Sequence, residues 1–227
     1  MEKGIFITGT GTDVGKTYVT ALLVKTLRSR GIAAGYYKAA LSGAQWRDGR
    51  LEPGDACHVN RTAGLGEEPE HMVSYIYEHA VSPHLAARWE ENPVQLKKVM
   101  ADYRAASERY PYLVVEGSGG IVCPIRWDEE QKLLLEDLIL EMGLGALIVS
   151  DSGLGAINAA VLTAEYMKHK KIPVYGIIMN RFHSGDPMEE DNRNMIEALT
   201  GIPVIAVVEE GADTLDIDED SLSALLP

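Results

Sequence analysis

Cysteine is scarce in this chain: Cys57 and Cys123 are the only two among 227 residues. Two thiols without repeated spacing build neither a disulfide framework nor a zinc site, so both are expected to be reduced and structural. Basic charge is also short, with 21 lysines and arginines against 34 aspartates and glutamates and a formal net charge of −13. That surface repels nucleic-acid phosphates and anionic lipid head groups, which argues against a polyanionic partner. No apolar run approaches the roughly 20 residues of a membrane-crossing helix. Met1-Glu2-Lys3-Gly4 leads straight into an apolar strand, without the pattern of a signal peptide. A soluble, cytoplasmic protein is the expectation. The six histidines show no paired metal-ligand spacing, and His183 reads as a surface residue rather than a catalyst. Asp216, Asp218 and Asp220 alternate as in a calcium loop, but Ser221 stands where Gly is required and Pro227 where the bidentate glutamate belongs. With Glu209, Glu210, Asp213 and Glu219 they read as a solvated acidic tail.

What the chain does have is apolar content of 46%, enough to fill the core of one large domain over residues 1–227. Short β-rich runs alternate with longer segments of helical period, the pattern of an α/β fold in which a mostly parallel sheet carries helices on both faces. Strands are expected at Gly4–Thr8, Ala34–Tyr37 ending at Lys38, 113–115, 146–149, 174–179 and 204–208. Val19, Leu22, Leu23, Thr26 and Leu27 share one face of a helix stopped by Gly31. Asn92 and Pro93 look like the cap and first residue of a helix burying Val99, Met100 and Tyr103. Leu133 to Met142 and Ala156 to His169 are two further helices. In such sheets ligands gather beyond the carboxyl ends of the strands, where every motif below falls.

Gly9-Thr10-Gly11-Thr12-Asp13-Val14-Gly15-Lys16-Thr17 follows the first strand and opens the first helix. This is the context in which a P-loop wraps phosphates with backbone amides, while Lys16 neutralises the outer phosphates and the Thr17 hydroxyl ligates magnesium. The loop departs from the strict spacing, with five residues rather than four between Gly9 and Gly15. A P-loop names a nucleotide and not a reaction, so substrate chemistry must come from other strand ends. Lys38, followed by Ser42-Gly43, either faces the phosphates across the crevice or snorkels at the surface. Asp55 after Pro53-Gly54 reads equally as a helix N-cap and as a site carboxylate. Glu116 precedes Gly117-Ser118-Gly119-Gly120, and a carboxylate there can be the second acidic partner of magnesium.

Taken together, the loop with its extra residue, Gly-Tyr-Tyr-Lys at 35 to 38 with Ser42-Gly43, Val115-Glu116-Gly117 with Gly119-Gly120, and Leu162-Thr163-Ala164-Glu165 resemble dethiobiotin synthetase, in order along nearly the whole chain. The resemblance implies an ATP-dependent ligase with magnesium, acting on 7,8-diaminopelargonate and carbon dioxide. It implies nucleotide contacts from Asp13, Val14, Gly15, Lys16, Thr17 and Glu116, with Asn180 reading the base, and magnesium among Thr17, Asp55 and Glu116. Lys38, Lys16 and Thr12 are the implied catalytic groups. Thr12, Lys38 and Ser42 face the substrate, and Asn158 meets its carboxylate at a site completed by a second subunit, so a homodimer is implied. The family usually has Pro after the strand-ending Lys, whereas Ala39 stands here, which predicts a less rigid loop. Two rivals share the scaffold: an amide-forming ligase with a glutamine-hydrolysing domain, for which no space remains after Leu199, and a partitioning-type switch ATPase, whose basic surface and early second P-loop lysine are missing here.

Overall fold

The computed structural model of the chain describes residues 4–226; Met1, Glu2, Lys3 and Pro227, which belong to the expected amino-terminal lead and acidic tail, lie outside them. In chain order the elements are β1 (Gly4–Gly9), α1 (Lys16–Ser29), β2 (Ala34–Ser42), β3 (Gln45–Arg47), β4 (Arg50–Glu52), α2 (Gly54–Ala63), a 3-10 turn (Pro69–Met72) and β5 (Val73–Tyr77). There follow α3 (Pro83–Trp89), α4 (Leu96–Arg109), β6 (Tyr112–Glu116), β7 (Pro124–Trp127), β8 (Lys132–Leu134), α5 (Leu135–Met142) and β9 (Ala146–Asp151). The last are α6 (Ala156–His169), β10 (Val174–Asn180), α7 (Pro187–Thr200), β11 (Val204–Val208) and α8 (Glu219–Ala224).

Seven strands form one sheet in the order β11-β10-β9-β1-β6-β2-β5, with every pairing parallel. β1 is central, and its residues alternate between two cores: Phe6 packs with α3 to α6, while Ile5 and Ile7 pack with α1, α2 and α8. Burial on both faces is why the strand reads as a continuous apolar run. On α1, Val19, Leu22, Leu23 and Leu27 lie on the sheet as their spacing dictates. The helix closes in a Schellman turn, with Gly31 at φ +80°, its N–H on Arg28 O and the Ile32 N–H on Leu27 O.

Four expectations change. β2 runs on to Ser42, because β5, which sequence reading missed, pairs with its outer edge from Lys38↔Val73 to Ser42↔Tyr77. Lys38 and Ala39 therefore sit inside a strand, and no loop is left for Ala39 to loosen. α4 starts at Leu96 rather than Pro93: Asn92 O accepts Tyr77 OH at 2.7 Å, Val94 is buried, and Gln95 N donates to Tyr75 OH at 3.0 Å, which holds the segment extended. Val99, Met100 and Tyr103 are buried as expected. Leu133 belongs to β8, paired with β7, and α5 starts at Leu135 where Asp137 Oδ2 accepts the Leu134 N–H at 2.8 Å. The acidic side chains near the C-terminus are solvated as expected, but the segment that carries them is docked rather than a free tail. Leu215, Ile217, Leu222 and Leu225 are buried in the core beside α1 while Asp216, Asp218 and Asp220 point to solvent, and Asp218 caps α8.

The α1 face packs into the core on its side of the sheet, and Leu23 in it is fully buried. Leu23→Ala is expected to lower the free energy of unfolding by about 2–5 kcal/mol in urea titration, and a loss under about 1 kcal/mol would contradict this packing.

Candidate active site

The carboxyl ends of β1, β6 and β2 lie side by side, and the loops leaving them wall a cleft of about 690 Å³. Thr12, Asp13, Gly15, Lys16, Thr17, Lys38, Ser42, Asp55 and Glu116 all line it. Val14 and Asn180 lie buried directly behind, where Asn180 Nδ2 donates to Val14 O at 3.0 Å. Asn180 thus holds the shape of the phosphate loop. Gly15 caps α1 at φ +88°, and a Cβ there would fall 2.0 Å from Asn180 Nδ2, so only glycine fits. Asp13 also has a left-handed backbone, at φ +57°, braced by Arg181 Nη2 on its carbonyl at 2.7 Å. Arg181 lines the cleft and was missed from the sequence. Its signal is its place immediately after the strand-ending Asn180. Tyr18 and His58, on α1 and α2, also line the cleft, with ring centroids 6.2 Å apart, and carried no motif that singled them out in the sequence.

Glu116 organises the interior. Register puts it opposite both Ile7 on β1 and Lys38 on β2. Its Oε1 accepts from Thr17 Oγ1 at 2.8 Å and from Lys38 Nζ at 2.7 Å, and its Oε2 accepts from Tyr36 OH at 2.9 Å. Lys38 Nζ also meets Asp55 Oδ2 at 2.6 Å. The side chains of Lys38 and Glu116 are 5% and 1% exposed, and that of Asp55 36%. Lys38 is therefore no snorkelling lysine. Asp55 sits in the first turn of α2 and makes no cap to it; Pro53 holds the N-cap place. Burial alone would push the Lys38 ammonium toward neutrality, but Glu116 and Asp55 outweigh it and hold its pKa above the ordinary value. Burial and the Lys38 charge lower that of Lys16, whose Nζ donates to Gly11 O at 2.7 Å. Burial raises and Lys38 lowers the pKa of Asp55, and the lysine wins. Burial and Glu116 push the Tyr36 phenol well above its usual range, so it stays a donor.

Three hard oxygen donors, Thr17 Oγ1, Asp55 Oδ2 and Glu116 Oε1, thus converge beside the phosphate loop. That donor set suits magnesium. The glycine loop after β6 closes the other wall: Ser118 Oγ donates to Ala40 O at 2.6 Å, and a Cβ at Gly117 would come within 2.9 Å of Phe6 and Leu135. Cys123 lies buried beside Gly119, its thiol pushed up to about 11 by burial, and Cys57 is likewise a free thiol, up to about 11.

A nucleotide cleft with a lysine held by two carboxylates beside it narrows the scaffold, and the comparisons decide the family. The chain is 48% identical over 225 residues to the ATP-dependent dethiobiotin synthetase BioD of Brachyspira hyodysenteriae, covering 99% of each. The chain belongs to the ATP-dependent dethiobiotin synthetase family. The enzyme of the same name from Clostridium perfringens is 45% identical over 226 residues, covering 100% of this chain and 99% of the relative. A family model described as an AAA domain matches residues 3–216. Among solved structures, a ParA family ATPase from Chlorobium tepidum superposes with a TM-score of 0.57 at 16% identity, over 99% of this chain and 89% of that one. The septum site-determining protein MinD with Mg-ADP from Pyrococcus horikoshii gives 0.55 at 17%, over 99% and 86%. At those identities the likeness establishes the P-loop fold and nothing further.

Asn158 is not brought to the cleft of its own chain. It is exposed on α6, one turn before Leu162, which with Val122 and Gly120 lines a separate groove. Leu154, at 96% exposure, stands just ahead of the same helix. His183 is exposed and paired with Glu189 at 2.9 Å, away from the cleft. Gly15→Ala is expected to weaken ADP binding at least about tenfold in calorimetric titration, through left-handed strain of about 1–3 kcal/mol added to the clash with Asn180. Affinity within about threefold of the parent would contradict this loop geometry.

Proposed function

We propose that the chain, acting as one domain over residues 1–227, converts 7,8-diaminopelargonate, carbon dioxide and ATP to dethiobiotin, ADP and phosphate through a phosphorylated carbamate. Family membership supports the overall reaction. The observation that carries the route is the shared carboxylate: Glu116 bonds the P-loop Thr17 and the substrate-strand Lys38 through the same oxygen, so phosphoryl donor and acceptor sites adjoin.

In this reading one amine of the diamine adds to carbon dioxide and loses a proton, giving a carbamate. A carbamate oxygen attacks the γ-phosphorus, the bond to the β,γ-bridging oxygen breaks, and ADP leaves. The second amine then attacks the carbonyl carbon, the carbon–oxygen bond to the phosphoryl group breaks, and phosphate and a proton depart as the cyclic urea closes. The amides from Gly11 to Thr17 and the start of α1 hold the phosphates, and Lys16 leaves Gly11 O to neutralise them. Lys38 stabilises the carbamate and the charge on the transferring phosphoryl group. Thr12 and Ser42 orient the diamine from the two rims. Thr17, Asp55 and Glu116 would hold magnesium, which spreads charge on the phosphates. No side chain forms a covalent bond, and orientation supplies much of the rate.

The exposed apolar Leu154 and Leu162, which flank Asn158 in sequence, and Val122 in the groove with Leu162 favour a homodimer in which Asn158 of one subunit reaches the substrate carboxylate held by the other. Asn180, already committed to Val14 by its Nδ2, keeps its amide oxygen for the base. The acidic surface disfavours nucleic acid and anionic membrane as partners. No described helix is long and apolar enough to cross a membrane, and a cytoplasmic enzyme is proposed.

The deciding experiment mixes protein, Mg-ATP, bicarbonate and the diamine and follows phosphate and dethiobiotin together. Equal yields of both, each requiring the diamine, are expected; phosphate without dethiobiotin would overturn the reading. Lys38→Ala is expected to lower kcat at least about a hundredfold, as loss of a transition-state charge contact does, while ADP affinity in EDTA changes less than about threefold. Turnover near the parent level would remove Lys38 from the chemistry. Sedimentation of the protein as monomer alone at working concentration would reject the dimer.

A further inference from the structure

The two oxygens of Glu116 have different neighbours. Oε1 serves Thr17 and Lys38 inside the cleft, whereas Oε2 accepts a single donor, Tyr36 OH at 2.9 Å. Tyr36 precedes Lys38 by two residues on β2, so both side chains leave the same face of the strand. Lys38 reaches the cleft wall. Tyr36 does not, and its ring is fully buried in the core formed with α1 and α2. A carboxylate turning about its terminal torsion has a broad, roughly two-fold well, so one oxygen held on one side does not define the plane of the group. A second fixed donor on the other oxygen does. Glu116 is 2% exposed, so water does not stand in for the phenol.

The geometry points to Tyr36 as a positioning residue of the metal–nucleotide site: by anchoring Glu116 Oε2 it aims Oε1 at the place where Thr17 and the nucleotide phosphates meet. The inference rests on the reading that Glu116 helps hold magnesium with the nucleotide. It assigns to Tyr36 the task that outer hydrogen-bond partners perform for metal-ligating groups, fixing orientation rather than touching metal or substrate. A phenol that merely fills the core would contribute to stability and leave metal affinity alone.

The test is calorimetric titration of magnesium into protein saturated with ADP, where no turnover occurs. It compares the parent, Tyr36→Phe, Glu116→Gln and the double variant. The phenylalanine ring keeps the packing, and the thermal midpoint in EDTA without nucleotide reports any loss of stability separately. Tyr36→Phe is expected to weaken magnesium at least about tenfold, the usual cost of losing such an outer partner, while ADP affinity in EDTA stays within about twofold. In the Glu116→Gln background, removing the hydroxyl is expected to change magnesium affinity no further, because the phenol acts only through Glu116. Magnesium affinity in Tyr36→Phe equal to the parent, or an equal loss in both backgrounds, overturns the inference. So does a matching loss of ADP affinity in EDTA. If Glu116→Gln itself takes up magnesium like the parent, Glu116 is no ligand, and both the metal assignment and this inference fall. If Glu116→Gln loses magnesium and Tyr36→Phe does not, this inference alone fails.

Discussion

A carboxylate at the end of a central strand, nearly sealed from water, is the constraint on which the rest of this site depends. An isolated buried charge is too costly to keep, and removing one partner from a buried ion pair commonly costs about 3–5 kcal/mol. Glu116 must therefore be surrounded, and its partners are the site: Thr17 from the phosphate loop, Lys38 from the neighbouring strand, and Tyr36 two residues before it. Lys38 in turn draws Asp55 toward the same point. Four elements, β6, α1, β2 and α2, are thereby tied at one place before any ligand arrives. Preorganisation of this sort is what phosphoryl transfer asks of a protein, since its work there is positioning and charge.

The phosphate loop depends on the same neighbourhood from its other side. Its backbone takes two left-handed residues, Asp13 and Gly15, and the segment is held from the end of β10 and the residue after it: Arg181 on the Asp13 carbonyl and Asn180 on that of Val14. The glycine loop after Glu116 packs close enough that a Cβ on Gly120 would lie 3.5 Å from Gly11. The P-loop, the glycine loop after β6 and the end of β10 are therefore packed and hydrogen-bonded to one another. Lys16 Nζ donates to Gly11 O within the same loop.

Much of this was legible in the sequence because the local signals agreed. The P-loop lies between an apolar strand and an amphipathic helix, and Glu116 follows a strand and precedes glycines. What was not legible is where neighbours in space override local pattern. β5 alternates Val73-Ser74-Tyr75-Ile76-Tyr77 as an edge strand, and without it nothing in the sequence shows that β2 continues past Lys38, nor that Tyr75 and Tyr77 hold residues 92 to 95 out of the helix. Asp55 read equally as a cap, and only the approach of Lys38 tells the two apart. Tyr36 lies in the expected strand, and its bond to Glu116, 80 positions away, is visible only in the fold. Asn158 was placed by resemblance, and it stands exposed on α6, outside the cleft of its own chain.

In the proposed route, phosphoryl donor and carbamate meet directly in one cleft. In that case an oxygen of carbon dioxide must leave with the phosphate. The most direct measurement is a rapid single turnover with bicarbonate labelled with heavy oxygen, quenched before exchange with water and read by the mass of the phosphate. One labelled oxygen per phosphate is predicted. Unlabelled phosphate, formed together with dethiobiotin, would contradict the claim, because phosphorus would then have been attacked by something other than the carbamate.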